Sequence, residues 1–354
     1  MEAGLAPSAS RGGTQVGVTT QTFPFRSASE LAQLFLLVGK QFNALQLSTG
    51  VLSGHFAWAN LGSVALLKIS TSQRLLLNGH RGRDCISFSI EASGQAEDHK
   101  VFSVPVAAYS VHGFRQGMLE SHFELSANST TYLTITSCQR FNAYLERSGL
   151  DYLIEQMQTS NALQVAPRIH RHLAQEFECL IQTPLATAIQ RQQAGHRLYS
   201  LFLTCLHHNS AEARFIPFAR SPRQKLVHGL ISWGFVNGRE EFNLDEVSQT
   251  MYASRRTLIQ GTKEALDLGP MELLKRIRLQ QVNGMLRSEE LRHAAGLHTV
   301  TEVALHYGFR SRGHFAKAYQ QLFAESPSTT LSQAVSPPAL RQESTPLQPV
   351  RCRP

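Results

Sequence analysis

The sequence predicts an α+β fold: a β-rich N-terminal part, connecting helices, and a C-terminal all-α domain of two helix-turn-helix units joined by a linker helix. Three observations predict it. Between Leu45 and Ser137, short apolar runs alternate with Gly, Asn, Ser and Asp, as in strands linked by turns. After Arg140 the apolar residues recur at three and four, the period of a helix. Near the end of the chain, a pattern of short helix, turn and capped second helix occurs twice.

In chain order, residues 1–20 are rich in small and polar residues with little periodicity, and are expected to be a disordered tail, as are residues 332–354. Residues 21–139 carry "GSVALLKIS", "QRLLLNG", "CISFSIE", "VFSVPVAAYSV", "SHFELSA" and "TYLTITS", whose spacing predicts an antiparallel sandwich or barrel. Residues 140–222 carry "FNAYLERSGLDYLIEQM", "IHRHLAQEFECLI" and "LATAIQRQQAGHRLYSLFLTCL", predicted connecting helices, followed by a proline-marked linker at "FIPFARSPRQ". Their apolar faces need a partner, either a second copy of the chain or the β-rich region. Residues 223–331 form the last domain.

Within that domain, Val300, Val303, Ala304 and Tyr307 make the apolar face of a short helix that Gly308 ends. Ser311 is placed to cap the next helix through its hydroxyl, and Phe315, Ala318, Tyr319, Leu322 and Phe323 form that helix's buried stripe. The earlier unit repeats the pattern with Leu244, Val247 and Met251, then Ser254 as cap and a stripe of Leu258, Thr262, Ala265 and Leu266. Between the units, Pro270 suits a first helical turn, and Leu279, Val282 and Leu286 keep a helical stripe.

The outer faces of the two second helices are polar and cationic. A major groove about 12 Å wide accepts one helix, whose N-terminal side chains then meet base edges. Arginine reads guanine and glutamine reads adenine through paired hydrogen bonds, each discriminating by roughly 1–3 kcal/mol. The candidate DNA-binding residues are therefore Ser254, Arg255, Arg256, Thr257, Gln260 and Lys263 in the first unit, and Ser311, Arg312, Gly313, His314, Lys317 and Gln320 in the second. About half of the cations are expected to touch phosphate only, which positions the protein without reading sequence. Arg278, within "LKRIRL" of the connector, is read as making a structural ion pair or hydrogen bond.

At these residues the chain resembles the C-terminal domain of the AraC/XylS family of bacterial transcription regulators. The likeness rests on "ASRRTL" in the first unit, "LGPMELLKRIRL" in the connector and "TVTEVALHYGFRSRGHFAKAYQQLFAESP" in the second. The connector is also similar to that of the ethanolamine-utilisation regulators. The resemblance implies base-contacting positions on the helices starting near Ser254 and Ser311. It also implies a cupin-type N-terminal β-barrel that binds a small-molecule effector or mediates homodimerisation, and an activator that touches RNA polymerase beside promoter DNA. Five positions are set against the family pattern: Ser248 where Ala is usual, Tyr252 where Gly is usual, Gly261-Thr262 where a small residue and Phe are common, and Ala324 in place of Gly. A glycine within a helix costs roughly 0.5–1 kcal/mol relative to Ala, so the first recognition helix is expected to be the looser one.

Composition sets outer bounds. A chain of 354 residues is long for one domain. The formal net charge of +8 favours an anionic partner, although residues 221–330 hold 14 Lys and Arg against 11 Asp and Glu, a surplus of only 3. The case for DNA rests on where the charges sit. Cys85, Cys138, Cys179, Cys205 and Cys352 are scattered and read as reduced thiols. No apolar run approaches the roughly 18–20 residues of a membrane span, and the N-terminus lacks a secretory layout; the expected location is the cytoplasm, on the nucleoid. No cofactor is expected.

One motif competes. "HRHLAQE", His170 to Glu176, has the His-x-His-x-x-x-Glu spacing of a cupin metal site. Ile169, Leu173, Phe177 and Leu180 recur at helical intervals, which turns the two histidines to different sides of a solvated helix. His55, His80, His99, His112 and His122 are dispersed and read as surface or satisfied core residues. The leading expectation is a sequence-specific transcriptional regulator rather than an enzyme. The alternatives are a metal-dependent cupin-type enzyme fused to a DNA-targeting domain and a nucleic-acid scaffold without sequence preference.

Overall fold

Two antiparallel sheets pack face to face in the N-terminal part of the computed structural model, which describes residues 20–82, 84–93, 98–207, 213–240 and 242–334. The larger sheet contains, in spatial order, β1 (Thr20–Phe25), β3 (Gly54–Asn60), β4 (Val64–Thr71), β11 (Ser129–Thr136), β6 (Ile86–Ser93), β9 (Ser110–His112), β12 (Ser160–Val165) and β13 (Ala213–Pro217). The smaller contains β2 (Gln41–Gln46), β5 (Leu75–His80), β10 (Glu120–Leu125), β7 (Lys100–Val101) and β8 (Val104–Pro105). The period-two alternation of β4 explains the layering. Leu67 and Ile69 enter the core between the sheets with Leu75 and Leu77 of β5, whereas Val64 and Leu66 point the other way.

That second face is covered by helices. α2 (Cys138–Arg147), α3 (Tyr152–Thr159), α4 (Pro167–Gln182) and α5 (Ala188–His207) place Phe141, Leu145, Met157, Leu173, Phe177, Leu198 and Phe202 in one core with Leu66, Phe88 and Ile90. The Phe88 and Phe202 rings stack with centroids 4.1 Å apart. The apolar faces of these helices are thus turned to the sheet. Two segments expected as helix or linker are strands instead: β12 alternates buried Leu163 and Val165 with exposed Gln164, and β13, which includes Phe215 to Pro217, pairs with it at the sheet edge. Pro217 ends that edge strand, where a missing N–H is tolerated. Thr20, expected in the N-terminal tail, opens β1, and Ser332 ends the last helix; residues 1–19 and 335–354 of the expected tails lie outside the described residues. The HRHLAQE segment lies within α4, where His170 is buried and His172 exposed, so the two rings leave different sides of the helix. Burial of His170 against Tyr109, ring centroids 5.8 Å apart, corrects the expectation of a solvated residue.

The C-terminal part is helical: α6 (Pro222–Val236), α7 (Leu244–Thr250), α8 (Arg255–Leu266), α9 (Pro270–Arg287), α10 (Glu289–Ala294), α11 (Val300–His306), α12 (Arg312–Phe323) and α13 (Pro327–Ser332). α9 organises it. Its first half gives Leu273, Leu274 and Ile277 to a core with Val227, Val247, Leu258 and Leu266. Its second half gives Leu279, Val282 and Leu286 to a separate core with Val303, Tyr307, Phe315 and Tyr319. The first of these cores also takes in Leu45, Leu47 and Leu76 from the smaller sheet and its loop. The helical part is thereby docked on the β-rich part, with Ser29 of α1 (Ala28–Leu36) held against Gly284, where an added Cβ would lie 2.6 Å from the Ser29 hydroxyl.

Candidate nucleic-acid interface

Each helix-turn-helix unit is closed by local hydrogen bonds that the sequence supplies. In the first, Asn243 and Glu246 form a capping box on α7, and in the second Thr299 and Glu302 do the same for α11. The turn after α7 places Tyr252 at φ 50, a left-handed conformation that glycine adopts more easily, with the side chain 98% exposed. Ser248 donates its hydroxyl to the Ala253 carbonyl across this turn. In the second unit Gly308, at φ 76, takes the turn, and Ala324 closes α12 at φ 55.

The two recognition helices differ in what their outer faces hold. Ser254 caps α8 by accepting from the Thr257 N–H at 3.1 Å, and its hydroxyl also pairs with that of Thr257 at 2.8 Å. Arg255 is bound to Asp245 of α7, and Gln260 donates to Glu264 at 2.9 Å, a carboxylate that also receives Arg223 at 2.7 Å. Those charge-assisted bonds from Arg223 and Gln260 hold the Glu264 carboxyl below its usual range. Arg256 and Lys263 are exposed. On α12, Ser311, Arg312, Gly313, His314, Lys317 and Gln320 are all exposed, and among the described residues none of their side chains makes an ion pair or hydrogen bond. Ser311 therefore does not cap its helix through the hydroxyl, contrary to the sequence expectation; its ψ of 110 departs from the 150 at which Ser254 reaches its own third residue. Exposed Arg310, in the turn before α12, is a cation the sequence reading left out.

Behind these faces the supports are specific. Tyr319, fully buried on α12, accepts from Asn283 of α9 at 2.7 Å and donates to Thr330 of α13 at 2.8 Å, while Glu325 binds both Thr330 and Arg287 at 2.7 Å. Gly261 of α8 faces α6, where an added Cβ would lie 3.2 Å from Arg223 and 3.3 Å from Val227, so the departure that weakens the helix lets its neighbour approach. Thr262, also buried, donates its hydroxyl to the Leu258 carbonyl at 2.9 Å. Arg278 lies over the Phe309 ring, 5.1 Å from its centroid, and joins the connector to the second unit.

A second cluster lies in the β-rich part and was not visible as a motif. His99, His112 and His122 are core residues, one of the two places the sequence allowed them, but they are clustered rather than dispersed, and Nε2 of His112 and of His122 has no hydrogen-bond partner among the described residues. The rings of His99 and His112 are 5.2 Å apart, and His122 stacks on His228 of α6 at 3.8 Å. Burial pushes His112, His122 and His228 below the usual histidine range, His228 to about 3, with Arg220 adding to the effect on the last two. His112 comes from β9, His122 from β10, His228 from α6 and His99 from the residue before β7, so no sequence spacing announces them.

The family model described as a helix-turn-helix domain matches residues 247–333. The HTH-type transcriptional activator RhaS of Escherichia coli O157:H7 (strain EC4115 / EHEC) is 32% identical over 98 residues, 28% of this chain and 33% of that protein. The XylDLEGF operon transcriptional activator 2 of Pseudomonas putida is 30% identical over 96 residues, 27% of this chain and 59% of that protein. A solved structure described as a probable AraC family transcriptional regulator from Rhodopseudomonas palustris CGA009 shares 29% identity, covering 31% of this chain and 97% of that one, with a TM-score of 0.28. The chain thus spans only about a third of the length of the first curated relative, and the likeness concerns its C-terminal domain. No helix among the described residues is long and apolar enough to cross a membrane.

Proposed function

From the AraC/XylS-type helix-turn-helix domain at residues 247–333, we propose that this chain is a sequence-specific DNA-binding transcriptional regulator that acts as an activator. The observation that carries the proposal is the pair of exposed polar helix faces on α8 and α12, mounted on one helix whose two halves serve both cores. Such a mounting fixes the spacing of the two helices, so that they enter successive major-groove segments on one side of a duplex. Residues 223–331 are the DNA-binding domain, 21–139 a sensor or dimerisation domain, and 140–222 the connection between them. The partners are promoter DNA, RNA polymerase, a second copy of the chain and a small-molecule effector; the site of action is the bacterial nucleoid.

The readers are Arg312, His314 and Gln320 on α12 and Arg255, Arg256 and Gln260 on α8; Ser254, Thr257, Lys263, Ser311 and Lys317 position the helices on phosphate, and Gly313 permits close approach. Competition binding at fixed salt tests this. A genomic promoter fragment is expected to outcompete random duplex by about 10³-fold or more. Arg312→Ala is expected to relax preference at one base position, and Lys317→Ala to weaken all sequences alike and lower the salt slope by about 1. Binding of all duplexes with equal affinity, or wild-type behaviour in both variants, would overturn the assignment.

A further inference from the structure

Between the two sheets lies a cavity of about 60 Å³, lined by Lys40, Arg81, His112 and His122 together with apolar Ile69, Leu133 and Ile135. Lys40 and Arg81 are each 4% exposed. The Lys40 ammonium donates to the Arg81 backbone carbonyl, and the Arg81 guanidinium donates to the carbonyls of Arg115, at 2.9 Å, and Gly113. Those acceptors are neutral. Arg81 Nε and the Nε2 atoms of His112 and His122 have no hydrogen-bond partner among the described residues. Burial lowers the guanidinium to about 10, so it stays charged at neutral pH.

Two buried cations call for an anion, because a charge taken out of water is tolerated only when it is paired. Among the described residues neither Lys40 nor Arg81 forms an ion pair; of the buried carboxylates, Glu91 accepts from Thr131 at 2.8 Å and lies 2.7 Å from His99 Nδ1, and Glu124 pairs with Arg74 at 2.5 Å. Size narrows the choice. An apolar cavity of about 150 Å³ accommodates benzene and a single water needs about 10–15 Å³, so a cavity of about 60 Å³ is too small for a ring and takes only a molecule of a few non-hydrogen atoms.

We propose that this cavity binds a short aliphatic carboxylate of acetate-to-propionate size, its carboxylate facing Lys40 and Arg81 and its alkyl end against Ile69, Leu133 and Ile135. The inference deepens the regulator reading and rests on it, because it names the effector class. The same cavity has a route to the DNA-binding domain. Its wall includes His122 and Phe102, whose rings lie 3.8 Å and 5.5 Å from that of His228 on α6. Phe102 and Ser103 form a turn at φ 52 and 62, left-handed values that bulky residues hold only under constraint, and Ser103 reaches His228 at 3.4 Å. A ligand that shifts this wall shifts the first helix of the domain.

The test is calorimetric titration of the full chain with sodium propionate and sodium acetate, against sodium chloride at equal ionic strength and neutral propionamide. Saturable binding of the carboxylates alone is expected. Arg81→Gln should weaken it by at least about tenfold, as loss of a charged partner does. Leu133→Phe, which fills the cavity and leaves both cations in place, guards against a folding defect in the first variant and should also abolish binding. No saturable carboxylate binding, or binding unchanged in Leu133→Phe, overturns the inference. Promoter-fragment competition run on the same preparation separates the two readings. Selective DNA binding without carboxylate binding sinks only the effector site, whereas carboxylate binding without fragment selection sinks only the regulator.

Discussion

At the scale of single residues, the two recognition helices are unequal in readiness. Arg255 must leave Asp245 before it meets a base, and Gln260 must leave Glu264, while Arg312 and Gln320 have no such engagement among the described residues. An exposed ion pair of this kind contributes about 0.2–1 kcal/mol. Asp245→Asn frees Arg255 and removes a negative charge from the face that meets phosphate, so affinity for a promoter fragment should rise by about two- to fivefold, measured by fluorescence anisotropy at low salt. A fall in affinity would place Arg255 outside the contact surface. Which side chains point outward was legible in the sequence, since the apolar stripes leave no other face for Arg255, Arg312 or Lys317. Their engagements were not, because Asp245 and Arg255 lie on different helices and meet only through the turn at Tyr252.

At the scale of elements, the difference continues in how each helix is held. α12 is anchored through Tyr319 to both α9 and α13 by a buried chain of hydrogen bonds, whereas α8 relies on Leu258, Ala265 and Leu266 and on the close approach of α6 at Gly261. Amide hydrogen exchange should therefore be slower over residues 311–323 than over 254–266, since local opening follows the least anchored element. The opposite order would show that the helix-weakening glycine is outweighed by its packing. Helices were readable because a period of three and four persists over whole segments such as α4 and α9. β12 and β13 were not, because a strand of five or six residues such as "ARFIP" carries little local pattern and its identity is decided by the neighbour that pairs with it. The cavity between the sheets escaped notice for the same reason: Lys40, Arg81, His112 and His122 converge only after distant strands have paired.

At the scale of the molecule, the β-rich and helical parts share a core through Leu45, Leu47 and Leu76, and beside it lies the stack of His122 on His228. Around His228 stand His122, Arg220, Phe102 and Ser103. His122 Nδ1 faces Asn78 at 3.3 Å, and Asn78 in turn donates to Ser232 of α6 at 2.9 Å, so the junction is polar as well as apolar. Both histidines are held neutral by burial, His228 with its value lowered to about 3, against roughly 6.5 in an unfolded chain. The sign follows from linkage: the unfolded chain takes up protons first, so the stability these groups contribute is complete above about pH 7 and is lost as pH falls below about 6.5, for His228 down toward about 3. For His228 alone the loss by pH 5 is roughly 2 kcal/mol. Carboxylates titrate in the same range, so the informative quantity is a difference between proteins. His228→Phe keeps an aromatic ring on His122 and removes one titrating group, and its urea midpoint should fall less between pH 7.5 and pH 5 than that of the unaltered chain. Equal falls in the two proteins would mean that His228 is not held neutral at the junction, and that acid loosens the molecule elsewhere.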